Sequence, residues 1–108
     1  MKHAFEFRHV SWHTPQVYAL LRRFNAGLCV FDMSDFTSPR EITADFCYLR
    51  FHGPGAIYGS SYSDGALRSW ADWLRALSGK VSACYAYFNN DAGAYAVFNA
   101  RTLSEFLR

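Results

Sequence analysis

The chain has 108 residues, 51% hydrophobic and 19% charged, a composition that builds one packed domain and excludes a disordered or multidomain chain. Eleven Lys and Arg against nine Asp and Glu leave +2, too little for charge alone to recruit nucleic acid or an anionic membrane. No apolar run reaches the ~20 residues of a membrane span and no basic-then-apolar leader opens the sequence, so a soluble cytoplasmic domain over residues 1–108 is expected.

In chain order, Ala4 to Arg8 alternates and predicts a first strand. Thr14-Pro15 is an N-cap with proline at the first helical position. It opens a helix to about Asn25, with Val17, Leu20, Leu21 and Phe24 as its apolar stripe and Gly27 as its end. Leu28 to Asp32 is the second strand. The polar segment Ser34 to Thr43, with Pro39 and no helical period, reads as a loop. Phe46 to His52 is the third strand. A second helix starts at Ser63 or Asp64, buries Leu67, Trp70, Ala71, Leu74 and Leu77, and closes at Gly79. Ala83 to Asn89 is the fourth strand. A third helix follows Asn90-Asp91, with Ala96, Asn99, Ala100, Leu103 and Leu107 on one side. Strands alternating with helices predict an α/β fold in which four parallel strands are joined by right-handed crossovers.

Cys29, Cys47 and Cys84 are an odd set with no C-x-x-C spacing, which argues against a disulfide framework or a structural zinc site. All three are expected as buried, reduced thiols on the apolar face of the sheet. Residues two apart on a strand share a face. That rule gathers Glu6, Arg8, Asp32, Tyr48, Arg50, His52, Tyr87 and Asn89 on the other face, mostly late in the strands. Buried charges need partners, and parallel α/β folds bind ligands at the carboxyl ends of their strands. Two readings follow: a binding site, or a structural ion network centred on Glu6.

The segments EFRHVSW (Glu6 to Trp12), YLRFHG (Tyr48 to Gly53) and YFNND (Tyr87 to Asp91), followed by Asn99-Ala100, resemble the YecE-like family, domain of unknown function 72. That resemblance implies a TIM-like (β/α) barrel of about eight strands, of which this sequence is similar to the last four, half of the barrel. Position by position it implies Glu6, Arg8, Trp12, Asp32, Tyr48, Arg50, His52, Asn89, Asn90 and Asp91 as the strand-end residues. It implies no established activity.

An anion fits these residues best. Arg8 and Arg50 offer planar donor forks, His52 adds a donor, and the third helix directs its N-terminus to the same face. Trp12 and Tyr58 are candidate stacking platforms for a base or sugar, which leaves nucleic acid open as a partner. The alternative is a metal-dependent phosphodiester hydrolase with Glu6, Asp32 and His52 as ligands, although two Arg on one face disfavour a cation. His9 and His13, four apart, give only a weak zinc spacing where a loop begins. No cofactor motif is present: a Gly-rich phosphate loop and a G-x-S-x-G elbow are both missing. A third reading is a non-catalytic assembly module. Four strands leave two raw edges, so the expected partner is a second copy that completes the barrel, with a complementary half-barrel chain as the alternative.

Overall fold

Four parallel strands stand side by side in sequence order: β1 (Ala4–Phe5), β2 (Gly27–Asp32), β3 (Phe46–Phe51) and β4 (Ala83–Phe88). Helices α1 (Pro15–Arg23), α2 (Asp64–Ala76) and α3 (Tyr95–Phe106) follow β1, β3 and β4. The structure is a computed structural model and describes residues 2–55 and 60–108. The α/β architecture and the loop between β2 and β3 are as the sequence predicts. Buried hydroxyls in that loop serve β2, since Thr43 Oγ1 accepts from Leu28 N and Ser38 Oγ from Phe31 N, both at 2.9 Å. They supply backbone partners that the strand ladder does not.

The main core lies between the sheet and α2. Val30, Cys47, Leu49 and Phe51 pack against Leu67, Trp70, Ala71 and Leu74, the stripe read from the sequence. Ser63 caps α2 by accepting from Ala66 N at 3.1 Å, and Gly79 takes the left-handed conformation (φ 85°) just beyond its end. The Arg40 guanidinium lies 3.6 Å from the centre of the Trp70 ring, closing the outer side of this layer.

Three local expectations are corrected. On α1, Thr14 caps as predicted, but only Tyr18 and Leu21 of the helix are buried, while Leu20 and Phe24 are exposed. Among the described residues no element lies beyond β1 for them to rest on. Asn25, at φ 49°, makes the turn after α1. Gly27 instead begins β2 beneath the Phe46 ring, where an added Cβ would sit 2.8 Å from ring carbons. Finally, α3 starts at Tyr95 rather than after Asp91, behind a turn in which Gly93 and Ala94 both have positive φ, and no side chain caps it. Its buried side chains are Asn99 and Leu103, whereas Leu107 is exposed.

The pairing register fixes the faces. Cys29 pairs with Tyr48 and Phe31 with Arg50, while Val30 pairs with Leu49 and Asp32 with Phe51. The faces of β3 and β4 agree with the sequence reading; those of β2 are reversed. Cys29 and Phe31 share the polar side with Arg50, and Val30 and Asp32 lie on the α2 side. The three cysteines therefore do not share a face, and Cys84 is exposed on the outer strand while Cys29 and Cys47 are buried.

Candidate functional site

The cluster is assembled around Glu6. The chain leaves the β1 ladder after Phe5, yet the Glu6 side chain still turns toward the ends of β2 and β3. Its Oε2 accepts from Arg8 Nε at 2.5 Å. Its Oε1 lies 3.4 Å from Arg50 Nη1, 3.2 Å from His52 Nε2 and 3.4 Å from the Cys29 thiol. Arg50 is held from the other side as well, donating through Nε and Nη2 to Asn89 Oδ1 at 3.2 and 3.0 Å. One carboxylate thus organises two guanidinium groups, an imidazole and a thiol, and Asn89, just past the end of β4, orients one of the guanidinium groups.

The electrostatics follow from this geometry. Burial alone would raise the Glu6 carboxyl, but hydrogen bonds from Arg8 and His52, with the Arg8 charge, outweigh it and hold the group below its usual 4.5. Burial pushes His52 below its usual 6.5, against the pull of Glu6. His52 is fully buried, and a carboxylate only accepts, so the imidazole proton belongs on Nε2, facing Glu6. Burial and the Glu6 charge push the Cys29 thiol far up, so it stays an S–H donor. Burial raises the Cys47 thiol to about 12. Neither is an activated nucleophile.

Below His52 the chain turns sharply. Gly53 has φ 116°, and its N–H donates to the Tyr62 hydroxyl at 3.0 Å. A side chain at Gly53 would strain this turn.

The remaining predicted residues divide. Tyr48 lies on the same face, its ring centre 5.3 Å from that of Tyr87. Trp12 is exposed and stacks on Phe7 at 5.1 Å between ring centres. Asn90 is fully buried and donates to Ser60 O and to Asn99 Oδ1. Asn99 in turn accepts from Tyr62 N and donates to Ser61 Oγ. These two asparagines join the end of β4, α3 and the approach to α2, a structural task. Asp91 is exposed and makes no side-chain cap. Asp32 is not part of the cluster: it lies on the opposite face and accepts from Thr37 Oγ1 at 2.5 Å. The trio Glu6, Asp32 and His52 therefore does not converge, and among the described residues no group of three His, Cys, Asp or Glu is placed to hold a metal ion. His9 bonds Ser11, and His13 bonds Tyr18 and the Phe7 carbonyl, so the pair does not act as one ligand set. Tyr58 lies outside the described residues. Cys29 is the cluster member that sequence reasoning misses. No helix among the described residues is long and apolar enough to cross a membrane.

A parallel α/β sheet with a polar cluster at its strand ends describes a class that holds many unrelated functions. The family model for "Protein of unknown function DUF72" matches residues 1–108, and the chain belongs to this family. It is similar to a solved DUF72 family protein from Thermotoga maritima, with 29% identity and a TM-score of 0.89, covering 99% of this chain and 46% of that one. A solved DUF72 family protein from Enterococcus faecalis is similar at 20% identity with a TM-score of 0.88, covering 99% of this chain and 47% of that one, a likeness of fold. The chain thus spans about half the length of the solved structures it matches. No curated protein matches it.

Proposed function

We propose that the Glu6 cluster binds a phosphate-containing or other anionic ligand at the carboxyl ends of the strands, within a cytoplasmic half-barrel of the DUF72 family. One observation carries this reading: two guanidinium groups surround a single carboxylate, so the cluster is net positive even with His52 neutral. The charges are also layered. The Glu6 side chain is 13% exposed, whereas Arg8 is 46% and Arg50 31% exposed. Cations therefore face solvent above a buried anion, the arrangement that receives a phosphate through forked donors.

Calorimetric titration with inorganic phosphate tests this. The wild-type chain should bind with a measurable heat, and Arg50→Ala should weaken binding at least tenfold, while Asp32→Ala should leave it unchanged. Wild-type protein that gives no heat, or Arg50→Ala that binds as well as wild type, would contradict the reading.

A second reading is a non-catalytic assembly module in which the cluster only braces the strand ends. It is favoured by the saturation of the Glu6 carboxylate, both oxygens of which accept hydrogen bonds. Phosphate binding by the wild type separates the two.

A further inference from the structure

Among the described residues, both edges of the sheet are uncovered. On β1, Ala4 and Phe5 are exposed, and on β4 every residue from Cys84 to Tyr87 is exposed on either face. Parallel strands are ordinarily buried on both faces, and open edges are association sites. The exposed surface beside each edge is apolar. Next to β1, Leu20 (56% exposed) of α1 and Phe24 (68%), which caps its C-terminus, rim an open cavity of about 350 Å³. Beyond β4, Val97 (60%) and Phe98 (57%) of α3 are equally exposed. Between the edges, Tyr85 and Tyr87 join Ala4 and Tyr48 in lining a second open cavity of about 240 Å³.

We propose that these surfaces form one interface, and that a second copy of this chain occupies it. The β4 edge of one copy pairs in parallel with the β1 edge of the other. A twofold axis repeats the contact and closes eight strands into a barrel with no edge left. Two facts favour a second copy. The chain carries both complementary edges itself, one at each side of the sheet. Each edge has an apolar helix flank, so closure sets Leu20 and Phe24 of one copy against Val97 and Phe98 of the other. The interface would be of the large, apolar kind, on the order of 2,000 Å². Closure also brings both Glu6 clusters to one barrel mouth, although the interface does not depend on what those clusters bind.

Sedimentation equilibrium of the purified full chain across a wide dilution range is the test, run beside circular dichroism. The expected mass is twice 12.3 kDa without dissociation. Leu20→Glu and Phe98→Glu alter side chains already at the surface of one copy, so each should keep helical dichroism yet shift the mass toward one chain. A well-folded wild-type monomer would overturn the proposal. So would a dimer indifferent to both substitutions, or a chain that folds only when the other half of a DUF72 barrel is supplied as a separate polypeptide.

Discussion

Glu6 Oε1 and His52 Nε2 lie 3.2 Å apart, joining the start of the chain to the end of β3 across 46 residues. The pair converts local ionisation into stability of the sheet. Burial holds His52 below 6.5, so its neutral form is favoured by folding; the Arg8 and His52 hydrogen bonds hold Glu6 below 4.5, so its charged form is favoured. In both cases the unfolded chain binds protons first on acidification. The resulting stability is complete above the unfolded values and is lost as pH falls from them through the lower folded values. Urea midpoints should therefore be flat near neutrality, decline as pH falls from about 6.5, and decline further below about 4.5. His52→Gln should remove the first decline and leave the second. A midpoint that rises between pH 7 and pH 5 would contradict the assignment of a neutral His52.

Glu6 competes with any anion for the two guanidinium groups. Replacing it with neutral glutamine takes the Arg8–Glu6–Arg50 charge from +1 to +2. Glu6→Gln should bind inorganic phosphate several-fold more tightly than wild type while unfolding about 2 kcal/mol more easily, since charge-assisted hydrogen bonds are lost. Calorimetry and denaturant unfolding on one preparation measure both. Weaker phosphate binding with the fold intact would show that Glu6 belongs to the binding surface rather than beneath it.

Asn99 does structural work that is separable from the cluster. Asn99→Ala strips partners from Asn90 Nδ2 and Tyr62 N, both in the interior. A loss of about 2–4 kcal/mol is expected from the stranded donors. Asn99→Asp keeps the acceptor but buries a carboxylate whose second oxygen faces the Tyr62 carbonyl, so it should lose at least as much. Phosphate affinity at temperatures where both variants stay folded should match wild type.

The first residue of β2 must lack a side chain. In Gly27→Ala the new Cβ meets the Phe46 ring at 2.8 Å, an overpacking that costs about 1–3 kcal/mol. Gly27→Ala combined with Phe46→Leu should recover part of that loss. Equal stability of Gly27→Ala and wild type would mean that the ring does not lie over β2.

Much of this was legible because the signals were local. Thr14-Pro15, Ser63 and the Leu67–Trp70–Leu74 stripe each write their own element. On β3, Tyr48, Arg50 and His52 alternate cleanly with Cys47, Leu49 and Phe51. β2 is buried on both faces from Gly27 to Phe31, so its two faces are equally apolar and carry no alternation. Asp32 alone suggested a polar face there, but it ends the strand and finds Thr37 on the other side. Alternation counted from that one residue places Cys29 on the face away from Glu6. On α1 the periodic stripe was real, but periodicity does not say whether a neighbouring element exists to bury it, and Leu20 and Phe24 stay uncovered.

Crystals grown or soaked with selenate test the anion site most directly, because selenium scatters anomalously and selenate shares the charge and tetrahedral shape of sulfate. An anomalous peak is expected within hydrogen-bonding distance of the Arg8 and Arg50 guanidinium groups, on the solvent side of Glu6, and it should disappear in Arg50→Ala. A saturating soak that leaves the Glu6 contacts intact and shows no peak between the two arginines would contradict it.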